Sequence, residues 1–184
     1  MNRDTLYAAN IVDTAGGATI TILPMPDMRY FPVLLIDNDH YCAGVIHTSG
    51  VHDLPADTRY IAALVRIQVL RPDDPADVAL VNALQDQFLI TAASAEAMPQ
   101  PRRDGTSLAA LSAQYNTEFG TYSQYPAGFM GSRGRADEAV RHLALAGAWG
   151  LFPNRDAIHN NYNAGLPAAG GYTATYQVPE NDAF

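Results

Sequence analysis

The stretch from Leu34 to His47, LLIDNDHYCAGVIH, decides the fold prediction because an apolar run stops at four polar residues and then resumes. Short apolar runs on both sides of a polar break predict two β-strands joined by a turn. Asn38 and Asp39 tolerate the positive φ angles of a two-residue hairpin turn. Such a turn would pair Ile36 with Tyr41 across the two strands.

Two other interpretations of the polar break stay open. One is a bent loop at the rim of a sheet, where ligand sites often lie. The other is a metal site, because Asp37 and Asp39 offer carboxylate oxygens and His40 offers an imidazole. A calcium loop would need more acidic ligands and a glycine turn, which this stretch lacks. No complete ligand set is present, so we predict no resident metal or other cofactor and folding without a divalent ion.

The residues around this stretch predict further strands. Residues 18–26, ATITILPMP, alternate threonine with apolar residues, which is the period of a half-buried strand. The run YFPVLLID, residues 30–37, is apolar at successive positions and is therefore expected to be covered on both faces. Two more strands are predicted over TLYAANIVD, residues 5–13, and TRYIAALVRIQVL, residues 58–70.

The pattern changes to helices after residue 70. Within residues 71–90, Asp74 is a predicted N-cap, Pro75 suits the first helical position, and Val81, Leu84 and Phe88 follow at helical spacing. Two more helices are predicted: residues 107–119, with Leu108, Leu111 and Tyr115 on one stripe, and residues 135–150. Residues 172–184 return to a strand pattern. Strands followed by helices and a final strand predict an α+β fold rather than a doubly wound parallel one.

The composition excludes several classes of function. Of 184 residues, 48% are hydrophobic and 16% charged, which argues against disorder. The net charge of −8 argues against nucleic acid and against an anionic membrane surface as partners, because both bind clustered cations. No apolar run is long enough for a membrane span, and the first residues show no signal-peptide pattern. Cys42 is the single cysteine, so it can form no intramolecular disulfide, and its apolar neighbours predict a buried core position.

No catalytic motif identifies a reaction. The chain lacks the GxSxG nucleophile elbow, a P-loop and a GxGxxG fingerprint after a strand. Gly128, Gly131 and Gly134 recur every three residues, but between helices, where a phosphate cradle is not expected. Trp149 is predicted to be buried at a helix end. The amide-rich segment 158–163, IHNNYN, is compatible with a polar pocket or with ordinary turns.

The candidate pocket combines the polar break with the start of the first strand. Arg3 is a planar cation suited to orienting a carboxylate, although Arg3 and Asp4 also fit a solvated strand end. We expect Arg3 to lie within ion-pair distance of Asp37 or Asp39, with these carboxylates at a solvent-facing rim. The candidate set is Arg3, Asp4, Tyr7, Asp37, Asp39, His40 and Tyr41.

Four blocks of sequence follow one another along the chain: MNRDTLYAANIVDT, DMRYFPVLLIDNDHY, DPADVALVNALQDQF and VRHLALAGAWGLFPNRDAIHNNYNAGLP. In this order they resemble the tandem proteins of domain-of-unknown-function families 1254 and 1214. The resemblance implies a pair of β-sandwich or jelly-roll-like domains with about three helices packed between them. It implies no settled reaction: a hydrolase- or lyase-like enzyme acting on a small molecule or carbohydrate is one expectation, and a non-catalytic ligand-binding or structural module is the alternative.

The resemblance also implies a division of the chain. Residues 1–92 would form the β-rich 1254-type domain, ending in a helix, residues 93–134 a connector, and residues 135–184 a helix with the first strands of a 1214-type domain. Family members usually extend beyond both ends of this chain, so we expect a short or truncated member. Incomplete sheet edges could then mediate oligomerisation, and related proteins are often exported.

Overall fold

Two antiparallel sheets and three helices make up the part of the chain that can be described. The computed structural model describes residues 4–122, 128–147, 149–153 and 156–157. The predicted α+β class is confirmed. The strands are β1 Thr5–Asp13, β2 Ala18–Ile22, β3 Val33–Asp37, β4 Cys42–Ile46, β5 Gly50–Asp53, β6 Tyr60–Gln68 and β7 Leu89–Ala92. The helices are α1 Pro75–Gln85, α2 Gly105–Phe119 and α3 Glu138–Gly147.

Both sheets are open. The larger sheet has the order β1-β6-β3-β4 and the smaller one the order β5-β2-β7. Ile20 and Ile22 of the small sheet belong to the same hydrophobic core as Val33 and Leu35 of the large sheet and Leu84 of α1. The inner faces of the two sheets therefore share one core, as expected for a sandwich.

The side-chain period of two explains how the central strands are covered. In β6, Ile61, Val65 and Ile67 are buried in the main core, while the alternate residues face the other side and are partly exposed. All five residues of β3 are buried. Its outer face, which includes Leu34, contacts Phe152 in a separate apolar cluster, so the predicted two-sided cover of β3 is confirmed.

Helix α1 begins as predicted but ends earlier. The Asp74 carboxylate accepts a hydrogen bond from the Ala76 amide, and Pro75 occupies the first turn. The helix ends at Gln85, so Phe88 lies beyond it, and residues 89–92 form β7 instead of a continued helix. The main-chain pairing of β7 with β2 overrides the helical spacing of this apolar run.

A buried ion pair joins α1 to the large sheet. Asp77 on α1 and Arg29, just before β3, are both almost fully buried. The Arg29 guanidinium donates to both carboxylate oxygens of Asp77, and the Arg71 amide donates to Oδ2 at 2.9 Å. Chiefly through the Arg29 hydrogen bonds, the pKa of Asp77 is lowered to about 2.

A second buried carboxylate fastens the chain beyond β7 to the end of β1. Asp13 accepts hydrogen bonds from the Arg59 guanidinium, from the Ser94 hydroxyl and from the Glu96 amide. The Arg59 contact, followed by that of Ser94, holds the pKa of Asp13 well below its usual range. Three segments are thereby tied together at one end of the sandwich.

Helices α2 and α3 build a separate small core around Phe119, Phe129 and Leu143. The predicted stripe on α2 is only partly correct, because Leu108 and Leu111 are exposed and the buried residue of the helix is Phe119. A Cβ at Gly147 would lie 2.6 Å from Phe119 Cδ1, so the close helix contact depends on that glycine.

Some predictions concern residues that the structure does not describe. Arg3, the amide-rich segment 158–163 and the predicted strand 172–184 lie outside the described ranges. The division at residues 92 and 134 stays a prediction. Within the described ranges, no helix has the length and apolar character needed to cross a bilayer.

Candidate functional site

The turn between β3 and β4 has three residues rather than two. The His40 amide donates to the Asp37 carbonyl and the Asp37 amide donates to the Tyr41 carbonyl, each at 2.9 Å. His40 adopts a left-handed φ of 65°, as a three-residue hairpin loop with a bulge requires. Ile36 therefore pairs with Cys42, and the predicted pairing with Tyr41 is wrong by one residue.

The Asp37 carboxylate holds this turn together. Its Oδ1 accepts from the amides of Asp39 and Tyr41, each at 2.9 Å, and its Oδ2 lies 3.0 Å from the Arg133 guanidinium. Asp37 is only 6% exposed, so the prediction of a solvent-facing carboxylate at the rim is wrong for this residue. The adjacent Asp39 and His40 are exposed, as predicted.

The turn docks on the loop before α3 and on the first turn of that helix. Arg133 also contacts Asp39, at 2.7 Å. Arg133 and Arg141 both lie over the Tyr41 ring, with Cζ 4.4 and 4.1 Å from its centroid. The Tyr41 hydroxyl donates to Glu138 at 2.7 Å, and this bond is the main cause of the raised pKa of Tyr41. Arg133 thus supplies a cation to both carboxylates of the turn, while the predicted contact of Arg3 concerns a residue outside the described ranges.

Trp149 covers the side of the turn. Its indole Nε1–H donates to His40 Nδ1 at 2.9 Å, and the residue is 46% exposed, so the prediction of a buried tryptophan is wrong. The cavity between Trp149, His40 and Ile36 holds about 80 Å³. Small-molecule sites usually hold roughly 300–1,000 Å³, so this cluster shapes the end of the sheet and has no room for a substrate.

Asp4 and Tyr7 lie far from the turn. Thr5 pairs with Gln68 at one end of β6, and Asp37 pairs with Ile61 near the other end. At about 3.3 Å per residue, seven residues of β6 separate these levels by roughly 23 Å. The candidate pocket is therefore divided: Asp37, Asp39, His40 and Tyr41 lie together, and Asp4 and Tyr7 do not join them. Tyr7 instead packs against the Arg66 guanidinium.

Two clefts of adequate size meet at His47, the first residue after β4. The cleft of about 570 Å³ is here called the Cys42 cleft and the cleft of about 910 Å³ the Tyr30 cleft. Both are lined by His47 and Asp156. The Cys42 cleft is completed by residues 42–45, 128, 130–132, 135 and 153, and the Tyr30 cleft by residues 4–5, 28–31 and 68.

His47 and Asp156 form a hydrogen-bonded pair between the two clefts. Nε2 of His47 lies 2.7 Å from Oδ1 of Asp156. A carboxylate accepts hydrogen bonds, so Nε2 carries the proton and Nδ1 is left with the lone pair. The Asp156 side chain is 12% exposed and that of His47 is 34% exposed, so the pair is shielded but reachable from solvent.

Tyr30 fixes this pair in place. Its ring stacks on the His47 imidazole with centroids 6.2 Å apart, and its hydroxyl donates to the Asp156 carbonyl at 3.2 Å. Burial, with the nearby negative charge of Asp156, raises the pKa of Tyr30. The Asp156 amide also donates to the Pro153 carbonyl at 2.8 Å. The carboxylate therefore presents a defined orientation to the imidazole.

Cys42 is a buried core residue, as predicted. It packs with Leu34, Ile36 and Phe152, and burial raises the pKa of its thiol. A thiol acts as a nucleophile only as the thiolate, so Cys42 is not activated for attack although it lines a cleft. In the described part of the chain, no group of three or more His, Cys, Asp or Glu side chains is placed to hold a metal ion.

The pair of His47 and Asp156 was not predicted from the sequence. His47 is the last residue of the stretch 34–47, but its partner Asp156 is 109 residues away in an irregular segment. No local spacing connects the two residues.

Comparisons with known proteins add little to this geometry. No protein-family model matches the chain, and no curated protein matches it. Among solved structures, the VPA0106 protein from Vibrio parahaemolyticus is similar, with a TM-score of 0.45 and 15% sequence identity. The match covers 80% of this chain and 46% of that one, so the chain spans less than half the length of that structure.

Proposed function

We propose that the chain binds a small organic molecule beside His47 and that this histidine transfers a proton in hydrolase- or lyase-like chemistry. The observation that carries the proposal is the 2.7 Å pair of His47 and Asp156, which lines two clefts at once. A histidine held by a carboxylate is the usual arrangement of a general base, because the acid orients the ring and stabilises its protonated form.

The surroundings of the pair support binding. The clefts of about 570 and 910 Å³ fall in the size range of small-molecule sites. Met28, Tyr30 and Phe31 give the Tyr30 cleft an apolar wall, while His47 and Asp156 supply its polar end. A few polar groups on an apolar wall are typical of ligand pockets.

The chemistry proposed for hydrolysis uses water as the nucleophile. Nδ1 of His47 accepts a proton from a water molecule while the water oxygen bonds to the carbonyl carbon of an ester. The bond from that carbon to the leaving oxygen then breaks, and the imidazolium returns its proton to the leaving oxygen. Direct attack by water agrees with the raised pKa of the Cys42 thiol.

Ester hydrolysis tests this role. We expect p-nitrophenyl butyrate to be hydrolysed above the buffer rate, and His47→Gln to lower kcat/KM by about 10²–10⁴-fold, the usual contribution of a general base. His52→Gln is the control, because His52 is a half-buried β5 residue outside both clefts. Equal rates for wild type and folded His47→Gln protein would refute the proton-transfer role.

The alternative function is a ligand-binding module without catalysis. The apolar wall of the Tyr30 cleft favours it, since this wall provides affinity but no reactive group. A molecule that binds tightly without being turned over, with the same affinity for wild type and His47→Gln, would support this alternative.

Membership of the 1254 and 1214 families is part of the proposal. The four sequence blocks support it, as do two antiparallel sheets followed by helices. A crystal structure in which residues 172–184 pair within a further sheet would strengthen it. A helix over those residues would count against it.

A further inference from the structure

We propose that the molecule bound in the Cys42 cleft is a carboxylate and that Arg135 recognises its charged group. This inference deepens the proposed function and rests on it for the role of His47. Among the described residues that line the cleft, Arg135 is the only one with a permanent positive charge. Its side chain is exposed and makes no ion pair or hydrogen bond within the described part of the chain.

The contrast with the neighbouring arginine is informative. Arg133 lies two residues earlier on the same loop, and its guanidinium is engaged by Asp37 and Asp39 at 3.0 and 2.7 Å. Arg133 therefore has a structural role, whereas the guanidinium of Arg135 remains available to a ligand in the cleft that it lines. The Ser132 hydroxyl on the same wall offers a further donor for an anion.

A carboxylate fits this wall better than a phosphate. A phosphate cradle needs free main-chain amides, but the amides of Arg135 and Ala136 both donate to the Ser132 carbonyl. The next amide, that of Asp137, donates to the Gly128 carbonyl. Recognition is left to side chains, and one guanidinium matches the geometry of one carboxylate in a two-pronged contact.

The charge pattern of the cleft also sets the orientation of the ligand. Asp156 lines another wall of the same cleft, and its negative charge disfavours an anion beside His47. The carboxylate is therefore directed to Arg135 and the neutral part of the molecule to His47. A monoanion with an uncharged reactive group is the class of ligand that satisfies both walls.

A matched pair of probes tests this assignment. Phenylacetate and 2-phenylethanol share a ring and chain length but differ in charge, and their binding is followed by amide shifts of Gly131 and Arg135 in ¹⁵N NMR titrations. We expect wild type to bind phenylacetate about tenfold more tightly, as one charge-assisted contact allows. Arg135→Gln should bring the two Kd values within about twofold of each other.

Arg102→Gln is the control, because it removes the same charge from an exposed connector residue that lines neither cleft. It should keep the preference for phenylacetate. A preference that survives Arg135→Gln, an equal loss in Arg102→Gln, or no shift of the two amides with either probe would overturn the assignment. His47→Gln separates the two proposals: if it leaves both turnover and the phenylacetate preference intact, the proton-transfer role fails and the anion site stands.

Discussion

Removing Arg29 should strongly destabilise the chain. The Arg29→Met substitution preserves the length of the side chain but removes its charge, so the Asp77 carboxylate stays buried without its main partner. The contacts that remain are the Arg71 amide at 2.9 Å and the Arg71 guanidinium at 3.8 Å. Breaking a buried ion pair from one side typically costs about 3–5 kcal/mol. Arg71 is mostly exposed and compensates weakly, so we expect a loss of about 3 kcal/mol in the free energy of unfolding.

Urea unfolding followed by far-ultraviolet circular dichroism measures this loss. With an m-value of about 2 kcal/mol/M, the midpoint should fall by about 1.5 M. The double variant Arg29→Met/Asp77→Leu is the matched control, because an apolar replacement of both partners is often neutral or stabilising. It should regain most of the lost stability.

The pH dependence of the same variants gives a second readout. Because the pKa of Asp77 is lowered to about 2 by Arg29, this pair stabilises the wild type above the unfolded value of about 3.9 and the contribution is lost as pH falls toward 2. The difference between wild type and Arg29→Met should therefore shrink below pH 4. A midpoint unchanged by Arg29→Met, or a double variant no better than the single one, would refute the reasoning.

Three further outcomes follow from the fold. Asp37→Ala should lower stability by about 1–3 kcal/mol, because it leaves two turn amides without an acceptor, while Asp39→Ala should cost less than about 1 kcal/mol in the same urea assay. Gly147→Ala should lower the free energy of unfolding by about 1–3 kcal/mol despite the helix preference of alanine, and adding Phe119→Leu should recover part of the lost stability. A higher melting temperature for Gly147→Ala alone would contradict the close contact between Gly147 and Phe119. The contacts that lower the pKa of Asp13 stabilise the fold above the unfolded value of about 3.9, and this contribution is lost as pH falls through the lower folded value. The fall in melting temperature between pH 5 and 2 should therefore be smaller in Asp13→Asn, and an unchanged profile would argue against a stabilising role of the Asp13 contacts.

Local patterns predicted the parts of the fold that local forces determine. The strand β6 and the Asp74 cap of α1 depend on neighbours within a few residues, and both are found as predicted. The turn at Asp37 was placed correctly but with the wrong length, since a left-handed histidine is compatible with the sequence without being required by it.

Long-range contacts could not be predicted in the same way. Strand β7 forms because β2 offers a free edge, and the apolar run at Leu89 gives no sign of that partner. The candidate site also depends on a long-range contact. Asp156 reaches His47 only after the chain has folded back over the outer face of the large sheet. No pattern in a single sequence indicates that these two residues form a contact.

The ion pair at the β3–β4 turn has a consequence for the order of folding. Asp37 and Arg133 are 96 residues apart, so the hairpin can close while its buried carboxylate still lacks a cation. At roughly 5–20 residues per second, synthesis delays that cation by about 5–20 seconds. The sandwich therefore emerges from the ribosome with an unfinished end, and the late helical segment completes it. Ribosome-bound chains stalled before residue 133 should be cleaved by protease near the turn, and chains stalled well after residue 147 should resist; equal cleavage of both would show that the hairpin matures alone.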